Sequence, residues 1–86
     1  LSYVRSNAAE LAPAKIRVNG IAPGTVNTDM VRNNSPEMQE TMAKASLMGR
    51  AAHPDELVGL GLFLASDASS FITGATFTID GGLVAR

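Results

Sequence analysis

Ile16-Arg17-Val18-Asn19-Gly20-Ile21-Ala22-Pro23-Gly24-Thr25-Val26-Asn27-Thr28 is the stretch that decides how this 86-residue chain is read. Ile16, Val18 and Ile21 are β-branched and predict a strand over Lys15 to Ala22, ended by Pro23-Gly24. Apolar and polar residues do not alternate cleanly along it, which suits a strand covered on both faces. Pro23 fixes the direction of exit, and Gly24 lets the backbone approach a flat ligand closely. In open α/β sheets ligands bind beyond the carboxyl ends of the strands, and Pro23-Gly24 occupies such an end. Free N–H groups of Val26 and its neighbours, with the Thr28 hydroxyl, are suited to bind a carboxamide.

Upstream, Leu1, Val4, Ala8, Leu11 and Ala12 recur at helical spacing and predict a helix over Leu1 to Ala12, closed by Pro13. No capping residue precedes Leu1, so the helix is expected to begin further upstream. Downstream, the Thr- and Asn-rich run from Gly24 to Ser35 reads as a loop. Ser35, Pro36 and Glu37 then give the cap, first position and acidic first turn of a helix running to about Leu47. Met38, Met42 and Ala45 share one face of it; with Met30, the methionines suit either packing or an adaptable apolar lid.

His53-Pro54-Asp55-Glu56 opens a further helix, with His53 as the capping residue and two acids at the positive helix end. From Leu57 to Ala65 it is apolar nearly all round, so burial on every side is expected, with one side pressed on something outside these 86 residues. Gly59 and Gly61 each cost about 0.8–1 kcal/mol there, which close approach of a neighbouring backbone would explain. Ser66 to Ser70 is a turn. Ala75 to Asp80 is a second strand, with Phe77 and Ile79 alternating with Thr76 and Thr78, and Gly81-Gly82 ends it. Two strands joined by a long helical connection imply a parallel, right-handed crossover. Two parallel strands alone leave bare edges, so the 86 residues are expected to be one piece of a single larger α/β domain.

Composition narrows the function. Seven basic and eight acidic side chains are dispersed, with no basic block to follow a phosphate backbone, which argues against nucleic acid. There is no cysteine and a single histidine without carboxylate partners at ligand spacing, so no metal site is expected. No run of about 18 apolar residues would cross a membrane. The start lacks the layout of a signal peptide, and a cytoplasmic setting is the expectation.

The quoted stretch resembles the short-chain dehydrogenase/reductase signature I-R-V-N-x-I-x-P-G-x-V/I-x-T. Arg50-Ala51-Ala52-His53-Pro54-Asp55-Glu56-Leu57 is similar to that family's R-x-x-x-P-E/D-E-I/L, Phe63 to Gly74 to its F-L-x-S-x-x-S/A-x-F/Y-I/V-T-G, and Ile79-Asp80-Gly81-Gly82 to its closing V-D-G-G. The resemblance covers nearly the whole chain, as the C-terminal part of a doubly wound parallel-sheet, Rossmann-like fold. It implies hydride transfer between NAD or NADP and a carbonyl or alcohol, with a 3-oxoacyl-carrier-protein reductase or a sugar or polyol dehydrogenase as substrate classes.

It further implies cofactor binding by Pro23, Gly24, Val26 and Thr28, with backbone near Gly24 and Val26 meeting the nicotinamide carboxamide and Thr28 meeting carboxamide or pyrophosphate. It implies no catalytic residue here. The glycine-rich phosphate loop has no counterpart, and Tyr3 is followed four residues on by Asn7 rather than the lysine of Tyr-x-x-x-Lys. The chain alone is therefore expected to be inactive and to need the missing N-terminal part of the fold. The rival is a non-catalytic module that folds only against a partner. Asn19 is expected to be a satisfied amide, and Arg50 and Asp80 loop anchors. The family pattern implies a homotetramer, with the Leu57–Ala65 helix and Ala75–Asp80 strand at a subunit contact.

Overall fold

The computed structural model describes residues 2–83, with the backbone alone at Ser2. Helix α1 (Ser2–Leu11) leads to strand β1 (Gly20–Pro23). A short helix α2 (Asp29–Arg32), helix α3 (Pro36–Lys44) and helix α4 (Pro54–Ala65) follow, and strand β2 (Thr76–Ile79) comes last. The expected start of the first helix at Leu1 lies outside the described residues.

The two strands are parallel, as their long connection required, in the register Gly20↔Thr76, Ile21↔Phe77, Ala22↔Thr78 and Pro23↔Ile79. Paired residues of a parallel ladder share a face. On the Gly20 face α1 lies close: a Cβ added at Gly20 would stand 3.1 Å from Val4 Cγ2, and Ala8 of α1 is buried. On the Ile21 face the neighbour is α4, where Ile21, Gly61 and Leu64 border one open groove with Arg17 and Asn19. Helices thus lie on both faces of the sheet.

β1 is shorter than expected and begins at Gly20 rather than Lys15. The helix end is responsible. Ala12–Ala14 tightens into a 3-10 turn around Pro13, and Lys15 takes a left-handed conformation at φ 61°. The Lys15 N–H donates to Ala12 O (2.9 Å) and the Ile16 N–H to Leu11 O (3.2 Å), the paired bonds of a Schellman stop. Arg17 to Asn19 then bond outside the ladder. Arg17 donates to Leu64 O (2.9 Å), to Ser69 Oγ (3.0 Å) and, at 3.3 Å each, to Ser66 O and Ile72 O. Its charge sits against the carbonyls that end α4, where a cation is favoured. Asn19 donates through Nδ2 to Ile72 O and accepts from the Ala75 N–H, so its amide is satisfied as expected. Together these bonds hold the 66–75 turn so that β2 enters in register.

Two further boundaries moved. α3 stops at Lys44, short of Leu47, because the Ala45 and Ser46 N–H groups reach back only three residues, and the buried Ser46 hydroxyl binds Ala43 O and Arg50 O. The expected loop from Gly24 to Ser35 contains α2, closed by an Arg32–Asp29 ion pair. The Ser35 cap is as read: its hydroxyl accepts from the Met38 N–H at 3.2 Å.

Among the described residues α4 is covered on part of its apolar surface and open on the rest. Leu57, Leu60 and Leu64 are half-buried, whereas Val58 and Leu62 are 55% and 67% exposed. Two four-residue strands cover only one stripe of a twelve-residue helix. The radius of gyration is 15.5 Å, against about 12 Å for a compact domain of this length. Among the described residues no helix is long and apolar enough to cross a membrane.

Candidate nicotinamide-binding loop

Pro23 ends β1 opposite Ile79, and the chain turns there against the end of β2. The Gly24 N–H donates to Ile79 O at 3.1 Å. A Cβ at Gly24 would fall 2.8 Å from Asp80 Cβ and 2.9 Å from Asp80 Cα. The glycine is required by Asp80, so its bare backbone faces the neighbouring strand end. Asp80 accepts from the Gly82 N–H through Oδ1 and tethers the turn that closes β2, the loop-anchoring part expected of it.

Beyond Gly24 the backbone runs beside Ala52. Val26 and Ala52 form an isolated parallel bridge, in which the Ala52 N–H donates to Thr25 O (2.9 Å) and the Asn27 N–H to Ala52 O (2.7 Å). In such a bridge the central residue's own N–H points away from the partner. The Val26 N–H accordingly has no hydrogen-bond partner among the described residues, and neither has that of Thr25. Val26 O accepts from the Thr28 N–H at 2.8 Å, which curls the chain into α2. Thr28 stands at the start of α2, exposed, and its hydroxyl makes no bond to a described residue. Arg32 steadies the far side, donating to Asn27 O at 3.0 Å.

The structure therefore divides the four residues read from the sequence. Val26 offers a backbone donor and Thr28 a hydroxyl, two residues apart beyond the strand end. Pro23 and Gly24 shape the exit without offering a donor: proline has no N–H, and the Gly24 N–H is already bonded. An N–H and a hydroxyl are donors that the oxygen of a carboxamide can accept from, so these residues suit the nicotinamide end of a dinucleotide. Met30 is 82% exposed, so it is not a packing residue of this chain, whereas Met42 is half-buried beside Thr25 and Ser46. Among the described residues no group of three or more His, Cys, Asp or Glu side chains could hold a metal ion.

Ala52 is a structural partner of the loop that sequence reading missed, because its part is played entirely by backbone. Its own position is fixed from both sides. Glu56 accepts from Arg50 on both carboxylate oxygens (2.7 and 3.0 Å), and its Oε1 also accepts from the His53 N–H at 2.8 Å. The Glu56 carboxyl is held down to about 2, first by the Arg50 hydrogen bond and then by the His53 N–H. The Arg50 guanidinium is correspondingly raised by Glu56. His53 occupies the cap position of α4 as expected, and Arg50 is the loop anchor it was read to be. Glu56 does more than complement the helix end.

Comparison with known proteins places the chain in a family. The family model described as enoyl-(acyl carrier protein) reductase matches residues 1–84. A 3-oxoacyl-(acyl-carrier-protein) reductase of Thermotoga maritima is 46% identical over 84 residues, covering 98% of this chain and 34% of the relative. Galactitol 2-dehydrogenase (L-tagatose-forming) of Cereibacter sphaeroides is 45% identical over 80 residues, covering 91% and 32%. Among solved structures, 4-hydroxyisoleucine dehydrogenase complexed with NADH superposes with a TM-score of 0.89 at 30% identity, covering 99% of this chain and 36% of that one. The chain spans about a third of the length of the curated relatives it matches. With its parallel strands, flanking helices and this match along nearly its whole length, the chain belongs to the short-chain dehydrogenase/reductase family of oxidoreductases.

Proposed function

We propose that this chain supplies the nicotinamide-facing loop of an NAD- or NADP-dependent oxidoreductase that transfers hydride between the dinucleotide and a carbonyl or alcohol. The observation that carries the reading is the Val26 N–H, without a partner among the described residues and turned away from its Ala52 bridge beyond the carboxyl end of a parallel strand. The Thr28 hydroxyl is the second donor. When bound, the nicotinamide supplies or accepts the hydride; this chain's residues hold its carboxamide. Pro23 and Gly24 set where those donors stand. None of the 86 residues is assigned a catalytic role, and the proton-handling groups are assigned to the rest of the same fold.

Support for the cofactor comes from the relative solved with NADH, and for the substrate class from relatives named for 3-oxoacyl thioester reduction and polyol oxidation. The exposed outer face of α4, with Val58 and Leu62, supports a fold completed by further protein, both the remainder of this domain and a second subunit. The same exposure favours the companion reading that the 86 residues alone are inactive.

The test is hydride transfer by the complete gene product, offered NADH and NADPH with a 3-oxoacyl thioester and with a ketose. Turnover with one of these pairs is expected. Thr28→Val should raise KM for the dinucleotide about fivefold, the effect of losing one hydrogen bond, with stability unchanged. No turnover with any pair, or a Thr28→Val enzyme indistinguishable from wild type, would contradict the proposal.

A further inference from the structure

We infer that Arg50 and Glu56 are positioning residues for dinucleotide binding, acting on the nicotinamide end alone through the Ala52 bridge; this rests on the nicotinamide reading above. The Glu56 carboxylate spans the Ala51-Ala52 dipeptide, gripping Arg50 on one side and the His53 N–H on the other. The dipeptide's position fixes Thr25 and Asn27, because Ala52 donates to the first and accepts from the second. Through those two bonds the orientation of Val26 is set, and with it the direction of the free N–H. Arg50 itself donates to Ala51 O at 3.2 Å, so the guanidinium touches the segment it holds.

The geometry has a single sense: the pair grips the dipeptide, the dipeptide grips the loop, and neither Arg50 nor Glu56 is bonded to the loop itself. Both side chains are also solvent-accessible, at 45% and 40% exposure. An exposed pair of this kind contributes little to global stability. A bidentate Arg–carboxylate contact nonetheless fixes geometry, because it holds two bonds in one plane. Orientation of one loop is the role that fits a weak but directional contact.

The test compares two ligands on the complete gene product: the intact dinucleotide that binds, and its ADP-ribose portion, which lacks the nicotinamide. Arg50→Gln is expected to raise Kd for the dinucleotide about fivefold, the scale of losing a helix-cap type of contact, and to leave Kd for the ADP-ribose portion unchanged. Arg50→Lys, which keeps the charge but not the fork, is expected to restore part of the affinity. Equal weakening of both ligands would mean a general structural role and would overturn the inference, as would no weakening of either. If wild type binds the ADP-ribose portion and the dinucleotide equally well, the nicotinamide is not held and the parent reading fails; binding of neither ligand removes both.

Discussion

Gly24→Ala is the sharpest structural perturbation of the loop. An added Cβ would lie 2.9 Å from Asp80 Cα and 2.8 Å from Asp80 Cβ, at least about 0.6 Å inside the ordinary carbon contact distance of about 3.5 Å. Neither atom is the far end of a flexible side chain, so relief requires the strand ends to part. Parting them by that amount stretches the Gly24 N–H to Ile79 O bond from 3.1 Å to about 3.7 Å, beyond useful hydrogen-bond range. Overpacking of this kind costs about 1–3 kcal/mol, and the weakened bond adds about 1 kcal/mol. Urea unfolding of the complete gene product should show a loss of about 2–4 kcal/mol in stability with an unchanged denaturant slope. Gly20→Ala is the internal comparison. There the added atom meets the side-chain atoms Val4 Cγ2 at 3.1 Å and Thr76 Oγ1 at 3.3 Å, which can give way, so the loss should stay below about 1 kcal/mol. A Gly24→Ala protein within about 0.5 kcal/mol of wild type would refute the packing described at the end of β1.

Lys15→Gly should stabilise by about 0.5–1 kcal/mol, because Lys15 sits at φ 61°, where a side chain is penalised and glycine is not; thermal unfolding checks it. Glu56 titrates near 2 in the folded chain against an ordinary 4.5. A depressed folded value means its contribution is full above 4.5 and is lost as pH falls through about 2. Glu56→Gln should therefore flatten the fall of Tm with pH within that window. Gly59→Ala and Gly61→Ala meet nothing within 4 Å, so circular dichroism of the 86-residue chain should show more helix, by about 0.8–1 kcal/mol each. In the complete gene product that gain should vanish or reverse, since the glycines are expected to face a covering backbone there.

How much of this was legible in the sequence depends on how local each cause is. The Ser35 cap, the Pro36 and Pro54 helix starts and the alternation of Phe77 and Ile79 with threonines are all near-neighbour effects, and each is found where it was read. Parallel pairing followed from the length of the connection alone. The start of β1 was misplaced because Lys15 carries no sign of a left-handed turn; glycine or asparagine would have given one. The anchoring part of Arg17 was not legible, since its partners, Leu64, Ser66, Ser69 and Ile72, lie about fifty positions away. At the loop, the proline–glycine exit marked the place, but which N–H groups remain free depends on Ala52 and Ile79, whose carbonyls take up those of Asn27 and Gly24. An alanine contributing only its backbone leaves no trace in residue type. The side of α4 expected from composition to press on something outside these residues corresponds to surface that this chain by itself leaves open.

The central claim is that the Val26 N–H is a donor held ready for a nicotinamide carboxamide. Amide chemical shifts of the complete gene product, followed through a titration, test it most directly. The Val26 and Thr25 resonances should move on addition of NADH or NADPH and stay in place with the ADP-ribose portion, while that of Asn27, bonded to Ala52, moves least. Val26 shifts that are absent, or the same for both ligands, would contradict the account.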